Sequence, residues 1–201
     1  MKYELILRLL TLFKLNKTTD KIILGIDPGT VVMGFGLLHI KGSEMKLIEL
    51  DVIKLNNEDD HTLRLQKIFA AVTTLVKKHK PDEFAIEAPF FGKNVQSMLK
   101  LGRAQGVAMA AALNFDIPIF EYSPKKIKLS ITGNGNAAKE QVAAMLQQIL
   151  KFTNNNKYLD ATDALAVAVC HHFQSKGHAA SAKKTYKSWT TFLSDNPDRK
   201  G

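Results

Sequence analysis

The chain has 201 residues, of which 45% are apolar, and its formal charge at pH 7 is +9. This length allows one domain with a substantial core, and the positive charge indicates an acidic partner such as nucleic acid. The single cysteine, Cys170, excludes an intramolecular disulfide, and no Cys/His cluster has zinc spacing. We expect Cys170 to be a small buried hydrophobe in a cytoplasmic protein.

The N-terminal segment, residues 1–20, is apolar but is interrupted by Glu4, Arg8 and Lys14. It is too short and too charged for a membrane span and lacks a small-residue cleavage site, so we expect neither an anchor nor a secretory signal. Two interpretations stay open: an added amphipathic helix, or sequence upstream of the true start codon. We treat it as an extension of unknown role.

The first predicted strand, 22–27, is an apolar run rich in β-branched residues that ends on Asp27. Such a run is typical of a central strand buried on both faces. A proline-glycine turn leads to a second strand at 31–40 and a hairpin to a third at about 45–55. A carboxylate at the end of a buried strand is unfavourable unless its charge is compensated. Asp27 either caps the turn or belongs to a site, and the other acids decide between the two.

A second acid follows a buried strand in the same way. Helical spacing of apolar residues predicts a helix over 61–79, and a short strand at 84–86 then leads to Glu87. The next predicted helix, 94–114, is dense in small residues. That density favours either close packing inside the protomer or contact with a second copy. A fifth strand is predicted at 117–122.

The remaining elements are helical. Ser123 and Pro124 form a helix-start signature, with serine as N-cap and proline at the first helical position. The glycine-rich loop at 133–136 lacks the lysine-serine or lysine-threonine ending of a phosphate-binding P-loop. Two further helices are predicted at 137–152 and 158–173. The polar, basic tail at 174–201 is expected to be mostly disordered.

Two more acids lie in the last helix. Asp160 and Asp163 are three residues apart and therefore share one helix face, although Asp160 also suits the positive end of the helix dipole. If this helix packs across the sheet, four carboxylates converge: Asp27, Glu87, Asp160 and Asp163. Ionised carboxylates cannot share a site without a cation, and oxygen ligands select Mg²⁺ or Mn²⁺ over zinc. Two such ions, roughly 3.5–4 Å apart, activate a water and stabilise the leaving oxygen of a phosphodiester.

A basic stretch at 93–139 carries seven basic residues against two acidic ones. It is either a polyanion-binding face or an ordinary solvated helix surface. Its candidate DNA contacts are Lys93, Lys100, Arg103, Lys125, Lys128 and Lys139. The aromatic pair Phe90-Phe91 follows the strand that ends at Glu87, and exposed aromatics stack on unpaired bases. The alternative for Phe90 is a loop anchor folded into the core.

Several segments resemble the RuvC crossover-junction endodeoxyribonucleases in order and spacing over about 21–173: ILGIDPGTVVMGFG, FAIEAPFFGKN, SMLKLGRAQGVA, FEYSPKKIK, GNGNAAKEQV and LDATDALAVAVCHH. The resemblance implies an α/β, RNase H-like fold with a mixed five-stranded sheet and helices on both faces. It implies a homodimer that binds four-way (Holliday) junction DNA in recombination and repair and nicks two opposed strands symmetrically. The nicks leave 5′-phosphate and 3′-hydroxyl ends. A branch-migration complex that includes a helicase is implied as a partner.

By the same resemblance, the four acids fall on the family's catalytic carboxylates, which hold two Mg²⁺ ions that Mn²⁺ can replace. Lys128 and Lys139 match its DNA-contacting lysines, and Phe90 matches an aromatic that stacks on bases near the crossover. The alternatives are a non-catalytic junction-binding module and an actin-like ATPase or kinase, which shares the fold. The complete set of four acids opposes the first, and the presence of a single domain opposes the second.

Overall fold

The computed structural model describes residues 20–55, 60–89, 94–153, 159–180, 190 and 193–194. Within these ranges the chain forms five strands and five helices. In chain order they are β1 (Asp20–Asp27), β2 (Val32–Lys41), β3 (Glu44–Lys54), α1 (His61–His79), β4 (Glu83–Glu87), α2 (Val95–Leu113), β5 (Ile119–Tyr122), α3 (Pro124–Thr132), α4 (Lys139–Leu150) and α5 (Leu159–Ala180).

The five strands form one mixed sheet in the order β3-β2-β1-β4-β5. The hairpins β1–β2 and β2–β3 are antiparallel, whereas β1–β4 and β4–β5 are parallel. One face packs against α3, α4 and α5, and the other packs against α1 and α2. The predicted α/β class, with a mixed five-stranded sheet covered on both faces, is confirmed.

The central strand has the burial that its sequence predicts. Ile23 lies in the core beneath α5, while Leu24 and Ile26 lie in the core beneath α1 and α2, and all three are fully buried. A strand that packs helices on both faces needs apolar residues at successive positions, which is why the sequence shows a continuous run. Cys170 is also fully buried in the α5 core, as expected.

Side-chain caps fix three helix starts. Asp60, Asn94 and Ser123 each accept a hydrogen bond from a backbone N–H in the first turn of the following helix. Pro124 occupies the first position of α3, as the sequence predicts. None of the helices in the described ranges is long and apolar enough to span a membrane.

The predicted boundaries of three elements need correction. α4 spans Lys139–Leu150 rather than 137–152. β5 begins at Ile119 rather than at 117, because Asp116 adopts a left-handed conformation and Pro118 has no N–H to donate to a neighbouring strand. α5 continues to Ala180, seven residues past its predicted end, so residues 174–180 are helical rather than disordered. The sequence of this last part of the helix lacks the apolar periodicity on which the prediction depended.

Candidate active site

Two of the predicted acids meet at one edge of the sheet. Asp27 is the last residue of β1 and Glu87 the last residue of β4, and these strands are parallel neighbours in which Ile26 pairs with Ile86. Parallel strands end at the same edge, so the two carboxylates lie next to each other.

α5 brings a third carboxylate to the same place. Asp27, Glu87 and Asp163 line one pocket of about 220 Å³. Asp160 lies one turn earlier on α5, where it is exposed and does not line the pocket, although its charge contributes to raising the pKa of Asp27. The predicted convergence therefore holds for three acids directly, with the fourth at the rim.

Burial and the repulsion of neighbouring charges disfavour ionisation of Asp27 and Glu87. Burial, followed by the charges of Glu87 and Asp163, raises the pKa of Asp27 from 3.8 to about 8. Burial and Asp163 raise the pKa of Glu87 from 4.5 to about 7. The cluster therefore holds protons near neutral pH that isolated carboxylates would have lost, and it favours a cation that would neutralise it.

Lys139 is the cation nearest to the cluster. Its Nζ donates to Asp163 Oδ2 at 2.5 Å, and this hydrogen bond raises the pKa of Lys139. Its charge also opposes the increases in the pKa of Asp27 and of Glu87. Lys139 is the first residue of α4, so the position of this helix start places its ammonium group beside Asp163.

The second pocket lysine is Lys128 on α3, and its charge likewise lowers the pKa of Glu87. The wall beside these lysines is apolar and is formed by Pro124, Ile127, Val142 and Ala166. Sequence reasoning identified both lysines but missed this wall, since the apolar residues come from three helices and form no local pattern.

Three of the other predicted DNA contacts, which the structure describes, are not among the residues that line the pocket. Lys100 and Arg103 are exposed on α2, which covers the opposite face of the sheet, and Lys125 is exposed on α3 beside Gly135. Phe90 and Lys93 lie outside the described residues. Of the described candidates in the basic stretch, Lys128 and Lys139 line the pocket.

A buried polar network fixes α5 further along. Lys21 Nζ donates to Glu83 Oε2 at 2.6 Å, and His171 Nε2 lies 2.8 Å from the same oxygen. Tyr122 Oη lies 2.7 Å from His171 Nδ1, so the network joins α5 to β1, β4 and β5. Hydrogen bonds from His171 and Lys21 lower the pKa of Glu83 to about 2.

The donor chemistry of the acid cluster fits a hard divalent cation, because every ligand it offers is a carboxylate oxygen and burial disfavours its charge. Among the described residues, no group of three or more histidine, cysteine, aspartate or glutamate side chains is close enough to hold a metal ion in its present arrangement. Asp163 is instead paired with Lys139. A cation that binds Asp163 through Oδ2 would therefore compete with that ammonium group.

The sequence model of the family "Crossover junction endodeoxyribonuclease RuvC" matches residues 23–171. The chain belongs to the RuvC family. The RuvC of Cytophaga hutchinsonii is 61% identical over 183 residues, which cover 91% of this chain and 90% of that protein. The RuvC of Porphyromonas gingivalis is 56% identical over 183 residues, covering 90% and 97%.

Solved structures agree with this membership. The chain is similar to T. thermophilus RuvC in complex with a Holliday junction substrate, with a TM-score of 0.74, 31% identity and coverage of 79% of this chain and 96% of that one. The yeast mitochondrial Holliday junction resolvase Ydc2 gives a TM-score of 0.56 at 15% identity, covering 78% and 82%, and shares the fold. RuvC nucleases with this RNase H-like fold are metal-dependent.

Proposed function

We propose that the chain is a structure-selective endonuclease that resolves four-way DNA junctions by paired, symmetric nicks in recombination and repair. The observation that carries the proposal is the single pocket in which Asp27, Glu87 and Asp163 meet Lys128 and Lys139, in a chain of the RuvC family. Acids beside phosphate-binding lysines are the arrangement expected of a metal-dependent phosphodiesterase.

Asp27, Glu87, Asp160 and Asp163 would together hold two Mg²⁺ ions, for which Mn²⁺ substitutes. When bound, the ions supply an activated water and a stabilised leaving oxygen. Before that, Asp27 and Glu87 must release the protons that burial and repulsion hold on them. Metal binding therefore releases protons, and we expect it to strengthen as the pH rises from about 6 to 9.

Lys128 and Lys139 are proposed to bind the backbone phosphates that flank the scissile bond. Both line the pocket, and Lys139, whose side chain is 55% exposed, is accessible to DNA. Phosphate contacts of this kind orient the duplex without reading its sequence. Phe90 is proposed to stack on a base near the crossover. Lys93, Lys100, Arg103 and Lys125 are proposed as outer contacts.

Paired nicks require two active sites, and Asp27, Glu87 and Asp163 of one chain form one of them. We therefore propose a homodimer with α2 at the interface. Val95, Leu99 and Leu113 are 65%, 51% and 57% exposed on this helix, and a side chain at Gly102 or Gly106 would meet nothing within 4 Å. A partner helix packed there would bury this face.

The rest of the proposal comes from family membership. A nuclease domain at about 21–173 lies between an N-terminal extension and a basic tail, and acts in the cytoplasm together with a branch-migration helicase complex. Among the described residues, those that line the pocket lie between 27 and 166, within this domain.

The decisive experiment compares a synthetic four-way junction with a linear duplex of the same sequence, each with and without Mg²⁺. We expect paired nicks on the junction only, dependent on metal, and no nicks with Glu87→Gln. Asp116→Asn is the matched control, because Asp116 is an exposed acid in a left-handed turn that asparagine also tolerates. Equal cutting of both substrates would contradict junction selectivity. Binding without cutting in Mg²⁺ and Mn²⁺ would indicate a non-catalytic module.

A further inference from the structure

Three glycines of the sheet lie where α5 packs against it. Gly25 of β1, and Gly34 and Gly36 of β2, face α5 at distances too short for any larger residue. A Cβ atom at Gly25 would lie 2.2 Å from the Ala164 carbonyl oxygen, and one at Gly36 would lie 2.8 Å from Leu165 Cα. Glycine inside a strand is unfavourable by roughly 0.5–1 kcal/mol relative to alanine, so these positions reflect close backbone approach.

Gly34 lies under the first turn of α5, at Asp160, whereas Gly25 and Gly36 lie under Ala164 and Leu165, just after Asp163. A Cβ atom at Gly34 would lie 2.2 Å from the Asp160 carbonyl oxygen and 3.3 Å from Ala161 Cα. Gly34 is also the register partner of Asp27 on the neighbouring strand. One glycine thus separates the strand that supplies Asp27 from the helix turn that supplies Asp160 and, three residues later, Asp163.

Adding one methyl group at Gly34 would alter the spacing of the acids. To restore ordinary contact with the Asp160 carbonyl, the first turn of α5 would have to rise by about 1 Å. Functional constellations have to be held within about 0.5 Å of their productive geometry. A rise of this size would move Asp160 and Asp163 away from Asp27 and Glu87, while the network at His171 would still hold the far part of the helix.

We propose that Gly34 is a positioning residue of the metal site: its missing side chain sets the height of the first turn of α5, and thereby the distance between the strand acids and the helix acids. This inference rests on the proposed function, because it assumes that the four carboxylates bind divalent ions together.

Gly34→Ala tests it through metal affinity rather than activity alone. We expect calorimetric titration of Mn²⁺ into the DNA-free variant to give an affinity at least about tenfold weaker than that of the wild type. Mutating residues that orient metal ligands typically has an effect of this size. The metal midpoint of junction cleavage should rise by a similar factor. Junction binding in EDTA should stay within about twofold of wild type, because Lys128 and Lys139 lie on α3 and α4.

Val72→Ala separates positioning from loss of stability. Val72 is fully buried in α1 on the opposite face of the sheet, so its truncation destabilises the fold without touching α5. It should leave Mn²⁺ affinity unchanged. An equal loss of Mn²⁺ affinity in Val72→Ala and Gly34→Ala would overturn the inference, as would wild-type affinity in a folded Gly34→Ala protein.

Ala161→Cys is the second variant, needed if Gly34→Ala does not fold. Ala161 is fully buried on the helix side of the same contact, and cysteine adds a single sulfur atom there. Its matched control is Ala70→Cys at an exposed position of α1. A folded Ala161→Cys protein with wild-type Mn²⁺ affinity would refute the proposal that the contact between Gly34 and the first turn of α5 positions the acids. A wild-type protein that bound no Mn²⁺ and cut no junction would instead refute the proposed function.

Discussion

Replacing Asp27 with asparagine should make the metal-free protein more stable and abolish its activity. The folded protein holds a proton on Asp27 up to about pH 8, whereas the unfolded chain releases it near 3.8. Since the unfolded state binds fewer protons in this window, stability falls as the pH rises from about 4 to 8 and then levels off. Asparagine has no such proton to lose.

The magnitude follows from the width of that window. At about 1.4 kcal/mol per pH unit, the penalty accumulated between 3.8 and pH 7 is at most about 4 kcal/mol. Because Glu87 and Asp163 share the repulsion, we expect Asp27→Asn to recover about 2–4 kcal/mol at pH 7. For a chain of this size, that gain corresponds to a melting temperature higher by at least about 4 °C.

The assay is thermal and denaturant unfolding in EDTA between pH 4 and pH 8, for wild type, Asp27→Asn and the exposed-acid control Asp116→Asn. The gain should shrink toward pH 4, where Asp27 is protonated in both states. Adding Mg²⁺ should stabilise the wild type but not Asp27→Asn. Cleavage should fall by more than about 100-fold, because even outer partners of a metal ligand are worth 10–100-fold. A variant that is no more stable at pH 8, or whose gain does not depend on pH, would refute the reasoning.

Three further changes test the lysines and the interface. Lys128→Gln should reduce the slope of log junction affinity against log salt by about one, and an unchanged slope would remove Lys128 from the DNA face. Lys139→Gln removes the partner of Asp163, so it should strengthen Mn²⁺ binding in calorimetry and weaken junction affinity. Weaker Mn²⁺ binding in this variant would contradict competition between the ammonium group and the metal ion. Leu99→Glu should shift a dimer toward monomer in sedimentation, with unchanged circular dichroism, because Leu99 is 51% exposed on α2.

The sequence was most informative where function and local structure coincide. Asp27 and Glu87 each follow a short apolar strand, and this pattern lies within a few adjacent residues. Asp163 could be assigned to the candidate acid cluster because a charged residue in an otherwise buried helix needs a compensating partner. The caps at Ser123 and Pro124 were predicted for the same reason, since capping depends on neighbours in the chain.

The features that the sequence did not reveal depend on contacts between residues far apart in the chain. The pair Lys139–Asp163 joins residues 24 apart, and nothing in either segment predicts that they touch. Gly34 appears in the sequence only as part of a glycine-rich strand; its significance depends on the path of α5 above it. The available signal was the pair of glycines at 34 and 36, two alternate positions of the second predicted strand, because glycine inside a strand indicates close approach of another backbone.

The electrostatics of the pocket explain why its acids and lysines occur together. Burial and the charges of Glu87 and Asp163 raise the pKa of Asp27, and burial and the charge of Asp163 raise the pKa of Glu87, so without a cation the folded state is penalised at neutral pH. Lys139 reduces that penalty through Asp163, yet its 55% exposed side chain leaves it free to move. Lys139 engages only one oxygen of Asp163, and a divalent ion carries twice the charge of an ammonium group, so the ion is the stronger partner for this carboxylate. Under the proposed function, the site can therefore remain folded without metal and still favour metal binding, and Lys139, once released from Asp163, would be available to the incoming phosphate.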